Sequence, residues 1–221
     1  MKDTNIVDFE VAKVDIWHYR DDYLQPQQLK TLDRDLKKSY IAVYYPATQQ
    51  MVQLADKKMD FLMFPEDKKE VYALGYSDYD QRIALQWTGK TLKTLFLVNT
   101  LTGERKVIKD KLLGLQNISP EGKFINWYDS DKRQYSTYEV ATGVTREITT
   151  AIPTSLCDEE NDVPDYASPY GAPTWLQGDK YLYVYDRYDI WQVDPLGKET
   201  PTMITGVTAA KPALRCATIN W

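Results

Sequence analysis

The sequence predicts an all-β chain: a β-propeller of about four four-stranded blades, as an open arc or partial ring. Three observations predict it. Short segments rich in aromatic and β-branched residues alternate with turn residues along most of the chain. The turn "LTG" at 101–103 returns as "ATG" at 141–143 and as "PLG" at 195–197, at spacings of 40 and 54 residues. Finally, "FINWYD" (124–129) and "YLYVYD" (181–186) carry aromatic residues on both sides of the pleat, so each sheet needs a neighbour on each face. A β-sandwich fits the strand count but does not predict the repeat.

The opening stretch "VDIWHYRDDYLQPQQ" (14–28) reads as a strand running into a loop, with Trp17 and Tyr19 as core or edge packing. A short helical link follows near residues 26–38. Leu29, Leu32 and Leu36 fall at helical spacing, and Pro26 suits a first turn. The first blade-like unit, about 38–56, holds "YIAVYYPATQQMVQLAD" and lacks its inner strands. The second, about 61–110, contains "VYALGY" and "TLFLVNTLTGERKVI".

The third unit, about 113–150, is the clearest. "LGLQNIS" (113–119) is its first strand, and in "SPEGK" Pro120 fixes φ while Gly122 tolerates a positive one. "KFINWYD" then alternates, with Phe124, Asn126 and Tyr128 on one face and Ile125 and Trp127 on the other. "QYSTYEV" (134–140) and "VTREIT" (144–149) complete the meander. A fourth unit spans about 172–206, and residues 207–221 start an incomplete blade. The expected shape is an arc with two apolar blade faces open to self-association.

Composition narrows the function. The chain has 221 residues, is 43% hydrophobic and carries a net charge of −5 without a basic stripe, which argues against a nucleic-acid partner. It has no apolar run of membrane-spanning length, and "MKDTNIVDFE" lacks the apolar stretch of a signal peptide. Cys157 and Cys216 are two candidates for one bridge, and two reduced, partly buried thiols are the simpler expectation.

The only histidine, His18, lies near Asp15, Asp21 and Asp22. A catalytic triad needs a nucleophile and an orienting carboxylate around that base, and the chain has no G-x-S-x-G elbow. One histidine and two distant cysteines are too few for a histidine-based zinc site. The 32 acidic residues offer many carboxylate pairs, and no spacing singles one out for glycoside hydrolysis. No catalytic residue, cofactor or metal is expected.

The loop 155–173 is acidic, with Asp158, Glu159, Glu160, Asp162 and Asp165. It reads as a solvated insertion between blades or as a functional loop, and its spacing does not fit an EF-hand. Tyr181, Tyr183, Tyr185 and Tyr188 form either blade packing or an aromatic ligand platform.

"VDIWHYRDDYLQPQQL" and "YIAVYYPATQQMVQLAD" together resemble the N-terminal propeller of serine peptidases of the prolyl oligopeptidase / dipeptidyl peptidase IV family, of the kind found in Bacteroides-like organisms. "ISPEGKFINWYD" and "YGAPTWLQGDKYLYVYDRYDIWQVDPLGK" resemble later blades of the same domain, so the resemblance runs through most of 9–206. The W-x-x-x-D-x-x-L-Q-P-x-Q run at 17–28 is its most specific part.

The resemblance implies a propeller that gates or docks peptide substrates for a C-terminal α/β-hydrolase domain. It also implies a periplasmic or secreted location. The catalytic residues of that family lie in the hydrolase domain, so none is carried over here. The family's amine-binding acidic pair is not transferred to "DEE" at 158–160, because the aromatic-rich stretch that precedes it is missing. The alternatives are a stand-alone propeller binding a protein or glycan, and a carboxylate glycosidase on a small propeller.

Overall fold

The computed structural model describes residues 14, 16–67 and 71–205. Helix α1 (Gln25–Leu36) leads into a two-stranded ribbon of β1 (Ala42–Tyr45) and β2 (Gln50–Gln53). Three four-stranded sheets follow. The first contains β3 (Phe61–Met63), β4 (Tyr72–Ser77), β5 (Lys93–Asn99) and β6 (Arg105–Leu112), with α2 (Arg82–Thr88) inserted between β4 and β5. The second contains β7 (Gly114–Ile118), β8 (Phe124–Asp129), β9 (Gln134–Glu139) and β10 (Thr145–Glu147). The third contains β11 (Thr174–Trp175), β12 (Leu182–Tyr185), β13 (Ile190–Val193) and β14 (Thr202–Met203). Every neighbouring pair is antiparallel and sequential, so each sheet is a simple meander.

The sheets stack in series, and pleat alternation decides which side chains meet. Phe96 and Val98 of β5 turn back onto the ribbon, joining Leu54, Met59, Val43 and Val52. Gly75 on the paired strand leaves the space that the Met59 thioether fills; a Cβ there would lie 2.5 Å from its sulfur. Leu95 and Leu97 turn forward with Leu74, against Ile118, Ile125, Trp127 and Tyr138 of the second sheet. Tyr128 and Tyr135 then turn forward against Leu182, Val184, Trp191 and Val193 of the third. All six residues of β8 are buried because both of its faces are covered.

The same two local devices recur in each sheet. Between the third and fourth strands, Gly103, Gly143 and Gly197 adopt φ of 77°, 71° and 63°. Their N–H groups donate to the carbonyls of Asn99, Glu139 and Asp194 (2.8, 2.8 and 3.0 Å), closing the turn in the left-handed region that favours glycine. At the end of each second strand, the side chain of Ser77, Asp129 or Asp186 accepts the N–H two residues on, that of Tyr79 (3.0 Å), Asp131 (3.2 Å) or Tyr188 (2.8 Å). The same side chain reaches back to the preceding unit. Ser77 donates to the Lys58 carbonyl. Asp129 pairs with Lys109 of β6 at 3.1 Å. Asp186 accepts from Thr154 of the preceding link at 2.7 Å, and within its own sheet from the Trp191 indole at 2.9 Å.

The structure corrects several sequence expectations. Among the described residues three sheets rather than four have four strands, and the first unit is a two-stranded ribbon, in keeping with the expectation that it lacks its inner strands. Residues 16–20 are not a strand: the Asp21 N–H donates to the His18 carbonyl (3.1 Å) and closes a turn, and no strand among the described residues pairs with them. Trp17 and Tyr19 are accordingly exposed, at 59% and 75%. The helical link is present, but no residue of α1 is buried, and Leu29, Leu32 and Leu36 face outward. Helix α2 was not expected. The start of a further blade at 207–221, and any pairing of Cys157 with Cys216, lie outside the described residues.

Candidate functional site

In a meander the turns alternate between two ends of the sheet. The turn between second and third strands therefore lies at the same end as the links that join successive sheets. That end gathers α2, the turn 130–133, the long link 148–173 and the turn 186–189. A cleft of about 800 Å³ opens there, walled by Thr88, Gly89 and Lys90 at the C-terminal end of α2, by Arg133, and by the loop 158–167.

The acidic loop is structured. Its neck is an isolated antiparallel bridge between Cys157 and Pro169. Asp158 N–H donates to the Ser168 carbonyl and Tyr170 N–H to the Leu156 carbonyl, each at 2.9 Å. The Asn161 amide donates to the carbonyls of Val163 (3.3 Å) and Asp165 (2.9 Å), holding the tip in shape. Two contacts pin the loop from outside. Lys90 Nζ donates to the Tyr166 hydroxyl at 2.7 Å and lies 4.6 Å from that ring's centre. Arg187 pairs with Glu160 at 2.5 Å. The Tyr166 hydrogen bond holds the Lys90 ammonium above its ordinary pKa, and the Glu160 hydrogen bond does the same for the Arg187 guanidinium.

Near the cleft, the Tyr128 hydroxyl is buried and has no hydrogen-bond partner among the described residues. Burial pushes its pKa up, and the adjacent Cys157 thiol adds to the shift, while the charge of Arg133 works against it. Cys157 is itself buried, with the Ser155 hydroxyl 3.5 Å from its sulfur.

The sequence-selected residues scatter. His18 is exposed, and its Nδ1 accepts only the Arg20 N–H at 3.2 Å. Asp15 lies outside the described residues. Asp22 pairs instead with Arg82 (3.4 Å), whose Nε also donates to Asp78 (2.7 Å). The Arg82 guanidinium is buried between the rings of Tyr23 (4.8 Å) and Tyr79 (5.3 Å). Gln86 donates to the carbonyls of Asp21 and Asp22, both at 3.1 Å. The opening cluster is thus a strap fastened to α2. Among the described residues, no group of three or more His, Cys, Asp or Glu is arranged to hold a metal ion.

Of the acidic-loop residues, Asp158, Glu159 and Asp165 line the cleft, whereas Glu160 is spent on Arg187. Tyr183 and Tyr185 point from the far face of the third sheet, opposite Leu182 and Val184. The Tyr181 hydroxyl donates to Glu199 at 3.1 Å, and Gly171 packs on the Tyr185 ring. No motif or spacing in the sequence marks Lys90 or Arg133. They come from separate sheets, and only the stacking brings them to the loop. No helix among the described residues is long and apolar enough to cross a membrane. Compared with known proteins, the chain matches no family model, and no curated protein shows significant similarity to it.

Proposed function

We propose that this chain is a non-catalytic arc of a β-propeller that docks or gates peptides for an α/β-hydrolase domain of the prolyl oligopeptidase / dipeptidyl peptidase IV type, in the periplasm or outside the cell. The observation that carries the reading is the serial stacking of meanders. Each sheet presents a backward and a forward face, and the forward face of one is covered by the backward face of the next. A sheet with two apolar faces is stable only within such a series, as a propeller supplies. The forward face of the last sheet carries Tyr183 and Tyr185, at the register positions that Asn126 and Tyr128 hold in the sheet before. Leu74 and Tyr76 hold those positions in the first four-stranded sheet. A non-catalytic role is supported by the exposed setting of the single histidine, which contacts its own turn and the neighbouring Tyr19 ring.

The gene tests this reading. The reading frame beyond codon 221 is expected to run into a domain with a G-x-S-x-G elbow, and the chain alone is expected to give no labelling with a fluorophosphonate. A stop codon directly after Trp221, with a soluble monomeric product, contradicts it. The cleft favours the second reading in that event: a stand-alone module whose ligand site lies between the acidic loop and α2.

A further inference from the structure

The cleft's charges fall into two groups. Lys90 is held by Tyr166. Asp158 accepts the Glu160 N–H (3.0 Å), and Asp165 accepts the Tyr166 N–H (2.7 Å). These groups build the walls. Two charged side chains of the lining, Arg133 and Glu159, take no hydrogen bond or ion pair with any described residue, including each other. They are of opposite sign and belong to different sheets' connections. The loop also contributes apolar side chains to the lining, from Val163, Pro164 and Ala167.

A space of this volume is the size of an ordinary ligand pocket and holds a few residues of extended chain. The loop that forms it is fixed by its neck bridge and by the Lys90 and Arg187 contacts, so a ligand need not pay to order it. Arg133 adds that its backbone sits at φ 55°, a strained conformation for a residue with a side chain.

From these observations we infer that the cleft binds a short peptide segment carrying both an acidic and a basic side chain. The acidic group meets Arg133, the basic group meets Glu159, and an apolar residue between them lies on Val163 and Pro164. The guanidinium offers paired donors to a carboxylate, and Glu159 accepts from an ammonium or guanidinium. The inference rests on the peptide-docking reading for its ligand class, but not on any hydrolase domain.

The test uses the full chain and tetrapeptides blocked at both ends, so that terminal charges play no part. One probe has glutamate first and lysine last with two alanines between. The others replace the glutamate, the lysine or both by glutamine. Binding is followed by chemical-shift changes of backbone amides in the loop 158–167.

The dipolar probe is expected to bind tightest. Arg133→Gln should weaken it about fivefold, yet leave the lysine-only probe unchanged. Glu159→Gln should do the reverse, weakening the dipolar and lysine-only probes and sparing the glutamate-only one. Both side chains are exposed, so neither variant threatens the fold. Equal binding of the neutral probe, or variants that leave every affinity unchanged, overturns the inference. So does the absence of shift changes in the loop at saturating peptide. A reading frame that stops after codon 221 leaves this result standing, and a hydrolase domain downstream does not rescue it.

Discussion

The two junctions between the four-stranded sheets occupy the same register but are built differently. At the first, Leu74 and its cross-strand partner Leu97 face the second sheet, where they meet Ile125 and Trp127. At the second, those positions are held by Asn126 and Thr137. Asn126 accepts the Trp175 indole N–H at 3.0 Å, and the Thr137 hydroxyl donates to the Pro195 carbonyl at 2.7 Å. The buried Asp179 adds to this junction. It accepts the Ser119 hydroxyl (2.5 Å) and the N–H groups of Glu121 (3.1 Å) and Lys123 (3.3 Å), so it caps the "SPEGK" turn from the next sheet. An apolar junction is tolerant of sliding, whereas fixed donors and acceptors specify one seating of the sheets. The link 148–173, whose loop walls the cleft, spans this second junction, while Arg133 comes from the second sheet and Thr88, Gly89 and Lys90 from the first.

Four substitutions sharpen or break this contrast. The largest effect is expected at the apolar junction, where Trp127→Ala should cost about 4 kcal/mol in urea unfolding, because it empties a large buried volume. Next, Asp179→Ala should cost about 3 kcal/mol, since three donors lose a charged acceptor in a buried site. Thr137→Val should cost about 1 kcal/mol, leaving the Pro195 carbonyl unpaired with no change in volume. If Thr137→Val and Asp179→Ala are both neutral, the polar contacts do not hold the junction.

The smallest effect at neutral pH concerns acid. Burial acts to raise the pKa of Asp186, but hydrogen bonds from Trp191, Thr154 and the turn N–H groups outweigh it and hold the pKa below the ordinary value. A carboxylate with a depressed folded pKa contributes stability that is present above its unfolded pKa, near 4, and is lost as pH falls through the folded one. Asp186→Asn should therefore flatten the loss of stability below about pH 4 relative to the parent protein, measured by urea midpoints at several pH values.

Much of this fold was legible. Ile125 and Trp127 alternate against Asn126 and Tyr128, and the structure puts those two sets on opposite junctions. The three glycine turns were visible because a left-handed backbone leaves a residue signature. Helix α2 was not, because seven residues with Ile83 and Trp87 exposed carry no core-facing stripe; its anchor is the ionic Arg82. Trp17 and Tyr19 misled for the converse reason, being aromatic residues that no sheet covers. The site was half legible. The acidic loop announced itself by composition, but Lys90 and Arg133 lie 68 or more and 25 or more residues from it, and only the order of turns along stacked meanders brings them there.

The central claim is that successive sheets are seated on one another by specific buried hydrogen bonds as well as by apolar contact. The direct test is a double-mutant cycle between Ser119→Ala and Asp179→Ala, two positions 60 residues apart in sequence and in contact across the second junction. The account predicts a coupling energy of about 1 kcal/mol or more by urea unfolding. Strictly additive losses would contradict it.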